Sequence, residues 1–172
     1  PMVARTHGQQ ALPTTFGLKV VVWLGELRRH VERIKYIFER ISAGQLGGAV
    51  GTLAALGPRA PEIARRTLNL LGLEYSSAAW HSSRDNIGEL ACVFSLMMTT
   101  LEKIANEIFQ LQKTEIGELR EPAPDWAMAS STMPHKKNPI TCERICGLAR
   151  LLKANAGAAL EERLDRLRAT LP

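Results

Sequence analysis

Apolar side chains recur along this chain at alternating steps of three and four residues. Such spacing marks helices that bury one seam against other helices. Over residues 14 to 42 the seam is Val20, Leu24, Leu27, Val31, Ile34, Phe38 and Ile41. The preceding "PTT", Pro13 to Thr15, supplies a helix start with a hydroxyl to accept from free backbone N–H groups. A second long helix is predicted from about 86 to 118, with Ile87, Leu90, Phe94, Met97, Leu101, Ile104, Ile108 and Leu111 on the same alternation, until Glu115 interrupts it. "EPAPDWAMA" then breaks the pattern with two prolines. A third helix is predicted to begin near Pro139, carrying Ile145, Leu148, Leu152, Ala156, Leu160, Leu164 and Leu167 on a broad apolar face. Between the first two lie a short helix over 59–72, ending at Gly72, and a loop over 73–86.

No stretch reads as a β-sheet, and "VVVW" falls inside the first seam. The pattern predicts an all-α fold, a bundle of long helices packed nearly parallel. Helices of roughly 30 residues reach about 45 Å at 1.5 Å per residue. A chain of 172 residues cannot cover such seams alone, so helices shared between subunits are expected. "GQLGGAVGT", Gly44 to Thr52, lacks the Lys-Ser/Thr and the preceding strand of a phosphate loop. It reads as a junction where two backbones approach closely.

The net charge of +5 changes this picture little, because Lys and Arg are interspersed with Glu and Asp. A solvated helical surface accounts for it, and no nucleic-acid partner is expected. Cys92, Cys142 and Cys146 have no metal-ligand spacing and cannot pair evenly, which fits a reduced, cytoplasmic compartment. No apolar run is long enough to span a bilayer, and no membrane partner is expected. The chain opens on Pro1 rather than Met, which raises the expectation of a fragment.

Three polar stretches interrupt the helical pattern: "RTHGQ" at 5–9, "WHSSRD" at 80–85 and "SSTMPHKKNP" at 130–139. All are predicted at or near helix ends, where a rigid scaffold offers accessible tips. His7 is flanked by Thr6 and Gln9, which can fix its tautomer. His30, beside Arg28 and Arg29, reads as a solvated surface residue. Ser130 and Ser131 taken alone are a capping pair. A serine acts as a base only where its alkoxide is stabilised, and Lys136 and Lys137 stand in the same short segment. Lysine and Asn138 are natural partners for a substrate carboxylate. No nearby Asp completes a serine triad and no nucleophile elbow is present, so hydrolase chemistry is disfavoured.

"ASSTMPHKKNP" closely resembles the signature loop of the fumarase/aspartase superfamily, with Ala129 where that loop usually has Gly, and "RTHGQQALPTT" resembles its Thr-His segment. "MPHKKNP", "QLGGAVGTLAALG" and "WHSSRD" are most similar to the adenylosuccinate lyase and 3-carboxy-cis,cis-muconate cycloisomerase branch. His7 leans toward the lyase; the glycine-rich and "WHSSRD" segments lean toward the cycloisomerase. The resemblance covers essentially the whole chain, 1–172, as the central helical domain of a longer enzyme whose N-terminal and C-terminal domains are missing. It implies a homotetramer with active sites shared between subunits, no cofactor and no metal. The implied reaction is a β-elimination from a small carboxylate-bearing substrate through an aci-carboxylate, commonly releasing fumarate. By the same resemblance Ser130 is the base and His7 the general acid or its aide. Lys136 and Asn138 would bind the carboxylate, with Thr6, Gln9, Arg84 and Ser131 as further substrate contacts. Glu143 is expected to orient a histidine of a neighbouring subunit.

Overall fold

The computed structural model describes residues 1–122, 132–133 and 135–170, except for the side chains of 162–170. A β-hairpin, β1 (Met2–Thr6) and β2 (Gln9–Thr14), precedes the long helix α1 (Phe16–Ile41). Then come β3 (Ala43–Gly44), a 3₁₀ segment (Ala54–Arg59), α2 (Ala60–Leu70) and β4 (Glu74–Tyr75). The helices α3 (Asp85–Gln112) and α4 (Ile140–Thr170) complete the order. The long-helix architecture thus stands as the seams predicted. The second long helix ends six residues before the predicted 118, and the hairpin was not anticipated.

The hairpin forms because His7 and Gly8 both take positive φ, 53° and 77°. That pair of conformations makes the tight turn whose twist suits antiparallel strands. Pro13 sits opposite Val3 on a two-stranded ribbon, where its missing N–H is tolerated. The usual Asn-Gly or Asp-Gly signal is absent, so the sequence concealed the turn.

The chain divides into two compact units. The first comprises Pro1–His30 and Ser95–Ala154. Its interior holds Ala105, Leu111, Cys142 and Ala149, together with His30. Burial through alanines lets helix backbones come close. Phe16 and Trp23, seven residues apart, meet edge to face with ring centres 5.7 Å apart. Ion pairs line the margins: Lys19 with Glu107, Lys103 with Glu26, and Glu102 with both Lys153 and Arg150. His30 is not the solvated residue expected from sequence. It is 4 % exposed, and its Nε2 lies 2.9 Å from the Thr100 hydroxyl. Phe16, Trp23 and His30 share one stripe of α1, rotated from the predicted seam.

The second unit comprises Val31–Phe94 and Asn155–Pro172. Ile37 is fully enclosed there, with Ala60, Ala64 and Leu68 of α2 and Ala156 also buried. α2 ends in a Schellman turn: Leu73 N–H donates to Leu68 C=O at 2.9 Å, and Gly72 N–H donates to Asn69 C=O. Gly72 takes the positive φ of 69° that this turn requires. The glycine-rich junction is as close as its composition suggested. A Cβ on Gly51 would lie 2.8 Å from the Cβ of Ala79. Truncating the enclosed Ile37→Ala is expected to cost about 2–5 kcal/mol in urea unfolding followed by circular dichroism.

Candidate functional site

The helix α4 begins with Glu143 N–H donating to Pro139 C=O at 3.0 Å. The amides ahead of that bond lack helical partners, although Pro139 itself has no N–H to satisfy. Glu121 supplies acceptors from a distant point in the chain. One carboxylate oxygen accepts from Thr141 N–H at 2.9 Å, the other from Cys142 N–H at 3.0 Å. Burial pushes the Glu121 carboxyl up, but the hydrogen bonds at Thr141 and Cys142 prevail and hold it below the usual range. Burial, and then its contact with Glu121, pushes the Cys142 thiol up to about 12. Burial of this kind disfavours the reactive thiolate at neutral pH. Glu121 gave no signal in the sequence beyond its place in a proline-broken stretch.

Beside this capped helix start lies a cleft of about 720 Å³. Its walls include Phe109, Gln112, Lys113 and Arg120 from the end of α3 and beyond, and Met133, His135, Lys136, Lys137 and Asn138 from the signature segment. Among the described residues that line it, four are lysine or arginine and none is a carboxylate. Such a cleft attracts anionic ligands, and the attraction strengthens wherever water is displaced. Gln112 joins the two walls: its amide donates to Lys137 C=O at 2.9 Å and accepts from Glu121 N–H at 2.7 Å.

The cleft brings Lys136 and Asn138 together. Ser130 and Ser131 lie outside the described residues. Glu143 is exposed in the first turn of α4. Thr6, His7 and Gln9 are exposed around the hairpin turn and are not among the residues lining the cleft. Arg84 belongs to the second unit, where its carbonyl accepts from Gly88 N–H at the start of α3. It is half-buried, and its Nε has no hydrogen-bond partner. The glycine-rich junction borders a second cavity of about 460 Å³, walled by Leu46, Val50, Leu53 and Leu56 among others. Among the described residues no cluster of histidine, cysteine and acidic side chains is suited to a metal ion. No described helix is long and apolar enough to cross a membrane.

The His7 turn is anchored by Arg5, which forks onto Glu118 with contacts of 2.9 and 2.6 Å. The hydrogen bond from Arg5, above all, holds the Glu118 carboxyl below its usual range. A depressed carboxyl gives stability that is complete above the ordinary carboxylate pKa and lost as pH falls through and below it. Glu118→Gln should therefore lower the urea midpoint at pH 7, and its deficit against the unsubstituted protein should shrink below about pH 4. A deficit that stays constant with pH would contradict this role. At pH 8, iodoacetamide should spare Cys142 in the folded protein and modify it once urea unfolds the chain.

A family model described as "Lyase" matches residues 1–152. The chain is 48 % identical over 148 residues to N-acetyl-S-(2-succino)cysteine lyase of Enterococcus italicus, covering 86 % of this chain and 32 % of that protein. It is 45 % identical over 159 residues to adenylosuccinate lyase of Pyrococcus abyssi, covering 92 % of this chain and 35 % of that protein. The solved structure of 3-carboxy-cis,cis-muconate lactonizing enzyme from Pseudomonas putida superimposes with a TM-score of 0.83 at 38 % identity, over 91 % of this chain and 35 % of that one. The chain thus spans about a third of the length of the relatives it matches. On this combination of sequence match and shared architecture, the chain belongs to the lyase family of the fumarase/aspartase superfamily.

Proposed function

We propose that this chain is the central helical domain of a longer lyase that performs β-elimination on a substrate bearing a succinyl group, adenylosuccinate first. The observation that carries this reading is the cationic cleft that includes Lys136 and Asn138 and has no carboxylate among its described lining residues. The elimination is hard because the C–H beside a carboxylate is weakly acidic. Removing its proton puts a second negative charge on that carboxylate, and fixed cations and N–H donors lower the barrier by meeting that charge as it develops.

In this mechanism Ser130 removes the proton, and Lys136 and Asn138 hold the carboxylate on which charge accumulates. His7 protonates the leaving group or assists that transfer. Thr6, Gln9, Ser131 and Arg84 contact substrate, and Glu143 orients a histidine from another subunit. His7 does not line the cleft within one chain, so the site requires segments from several copies. The exposed seam residues Leu24, Val31 and Phe38, at 63, 50 and 52 % exposure, support a homotetramer that covers them. We place the enzyme in the cytoplasm, as its unpaired cysteines suggest.

The 48 % identity to N-acetyl-S-(2-succino)cysteine lyase favours a second reading, in which the bond broken is C–S rather than C–N. The likeness to the muconate lactonizing enzyme supports a third, cycloisomerisation of a carboxymuconate. Both keep the same requirement for charge stabilisation at the cleft.

Assays of a full-length protein carrying this chain against adenylosuccinate, N-acetyl-S-(2-succino)cysteine and 3-carboxy-cis,cis-muconate separate the three. Turnover of adenylosuccinate with fumarate release is the expected result. Ser130→Ala should lower kcat by about a thousandfold, and Lys136→Ala by about a hundredfold or more. Turnover of none of the three, or an unimpaired Ser130→Ala enzyme, would defeat the proposal. The isolated 172-residue chain should be inactive.

A further inference from the structure

Lys136 and Asn138 stand on a stretch outside regular secondary structure, just before α4. Long side chains on such a stretch need their backbone fixed if their head groups are to meet a developing charge. Two residues from outside the signature segment grip it. Gln112 is the last residue of α3, and its amide donates to Lys137 C=O at 2.9 Å. That carbonyl belongs to the peptide joining Lys137 to Asn138, so the bond fixes the orientation of the backbone between the two substrate-binding residues. Glu121 grips the same stretch from its far side through Thr141 and Cys142, at 2.9 and 3.0 Å. The two grips are themselves joined, because Glu121 N–H donates to the Gln112 amide oxygen at 2.7 Å.

A simple helix cap would need only a local Ser, Thr, Asp or Asn. Here the capping carboxylate comes from twenty residues upstream, and the residue that steadies it also reaches the cleft wall. We propose that Gln112 and Glu121 are positioning residues, a two-point clamp that holds residues 136–141 so that Lys136 and Asn138 face the substrate carboxylate. This rests on the reading of the cleft as the carboxylate site.

The test uses the full-length protein, with adenylosuccinate turnover and amide hydrogen exchange measured on the same variants. Gln112→Ala should lower kcat by about a hundredfold while KM stays within about threefold. Amides in peptides covering 132–139 should exchange about tenfold faster, while those of α1 keep their protection. Glu121→Gln keeps the shape but leaves only one acceptor for two amides. It should shift exchange and kcat in the same direction, and lower the urea midpoint at pH 7, because a carboxylate held below its usual range stabilises the fold there. Unchanged exchange in 132–139 on Gln112→Ala overturns the clamp, whatever kcat does. Faster exchange with kcat intact overturns the positioning role. A Lys136→Ala enzyme with full activity would instead overturn the reading of the cleft, and the catalytic half of this inference with it.

Discussion

The first amides of α4 must have acceptors, and a carboxylate twenty residues upstream provides them. Those two bonds tie the start of α4, beside the cleft, to the stretch that follows α3. A helix start carries partial positive charge, and lysines next to it add more. Left alone, this end of the chain would repel itself. Glu121 neutralises the helix end directly, and no carboxylate stands among the described residues that line the cleft. The arrangement separates two uses of positive charge. The Thr141 and Cys142 amides are satisfied internally, while the side-chain cations Lys113, Arg120, Lys136 and Lys137 line the cleft.

The same division appears at the hairpin. Arg5 is committed to Glu118, so the turn that carries His7 is held by one ion pair while His7 itself stays exposed. Glu118 and Glu121 lie three residues apart on the stretch that follows α3. Their partners hold the two segments that bear the candidate chemistry. A stretch that looks like a mere interruption of a helical seam thus serves as the anchor for both.

Much of this was legible in the sequence, for reasons that can be stated. A period of three and four residues reports a helix with a sticky stripe, and α1, α3 and α4 followed. What the period cannot report is which stripe one chain covers by itself. In α1, Trp23 and His30 face inward in the first unit, and Ile37 is enclosed in the second, whereas Leu24, Val31 and Phe38 face out. The sequence showed the second set because it is uniformly apolar; the first contains a histidine, which looked like a surface residue. The sequence singled out Lys136 and Asn138, which line the cleft, because polar and cationic groups are concentrated in ten residues there. Gln112 and Glu121 were not, because hydrogen bonds across nine to twenty-five residues of chain leave no local spacing to read. The hairpin was hidden because a histidine, not asparagine or aspartate, occupies its first left-handed position.

The central claim is that the cleft between the end of α3 and the start of α4 receives the carboxylate on which negative charge develops. A crystal structure of a full-length protein carrying this chain, with unreacted substrate trapped by Ser130→Ala, tests it most directly. A substrate carboxylate about 3 Å from Lys136 Nζ and the Asn138 amide is the predicted result. Well-ordered substrate whose carboxylates all lie away from both residues would contradict it.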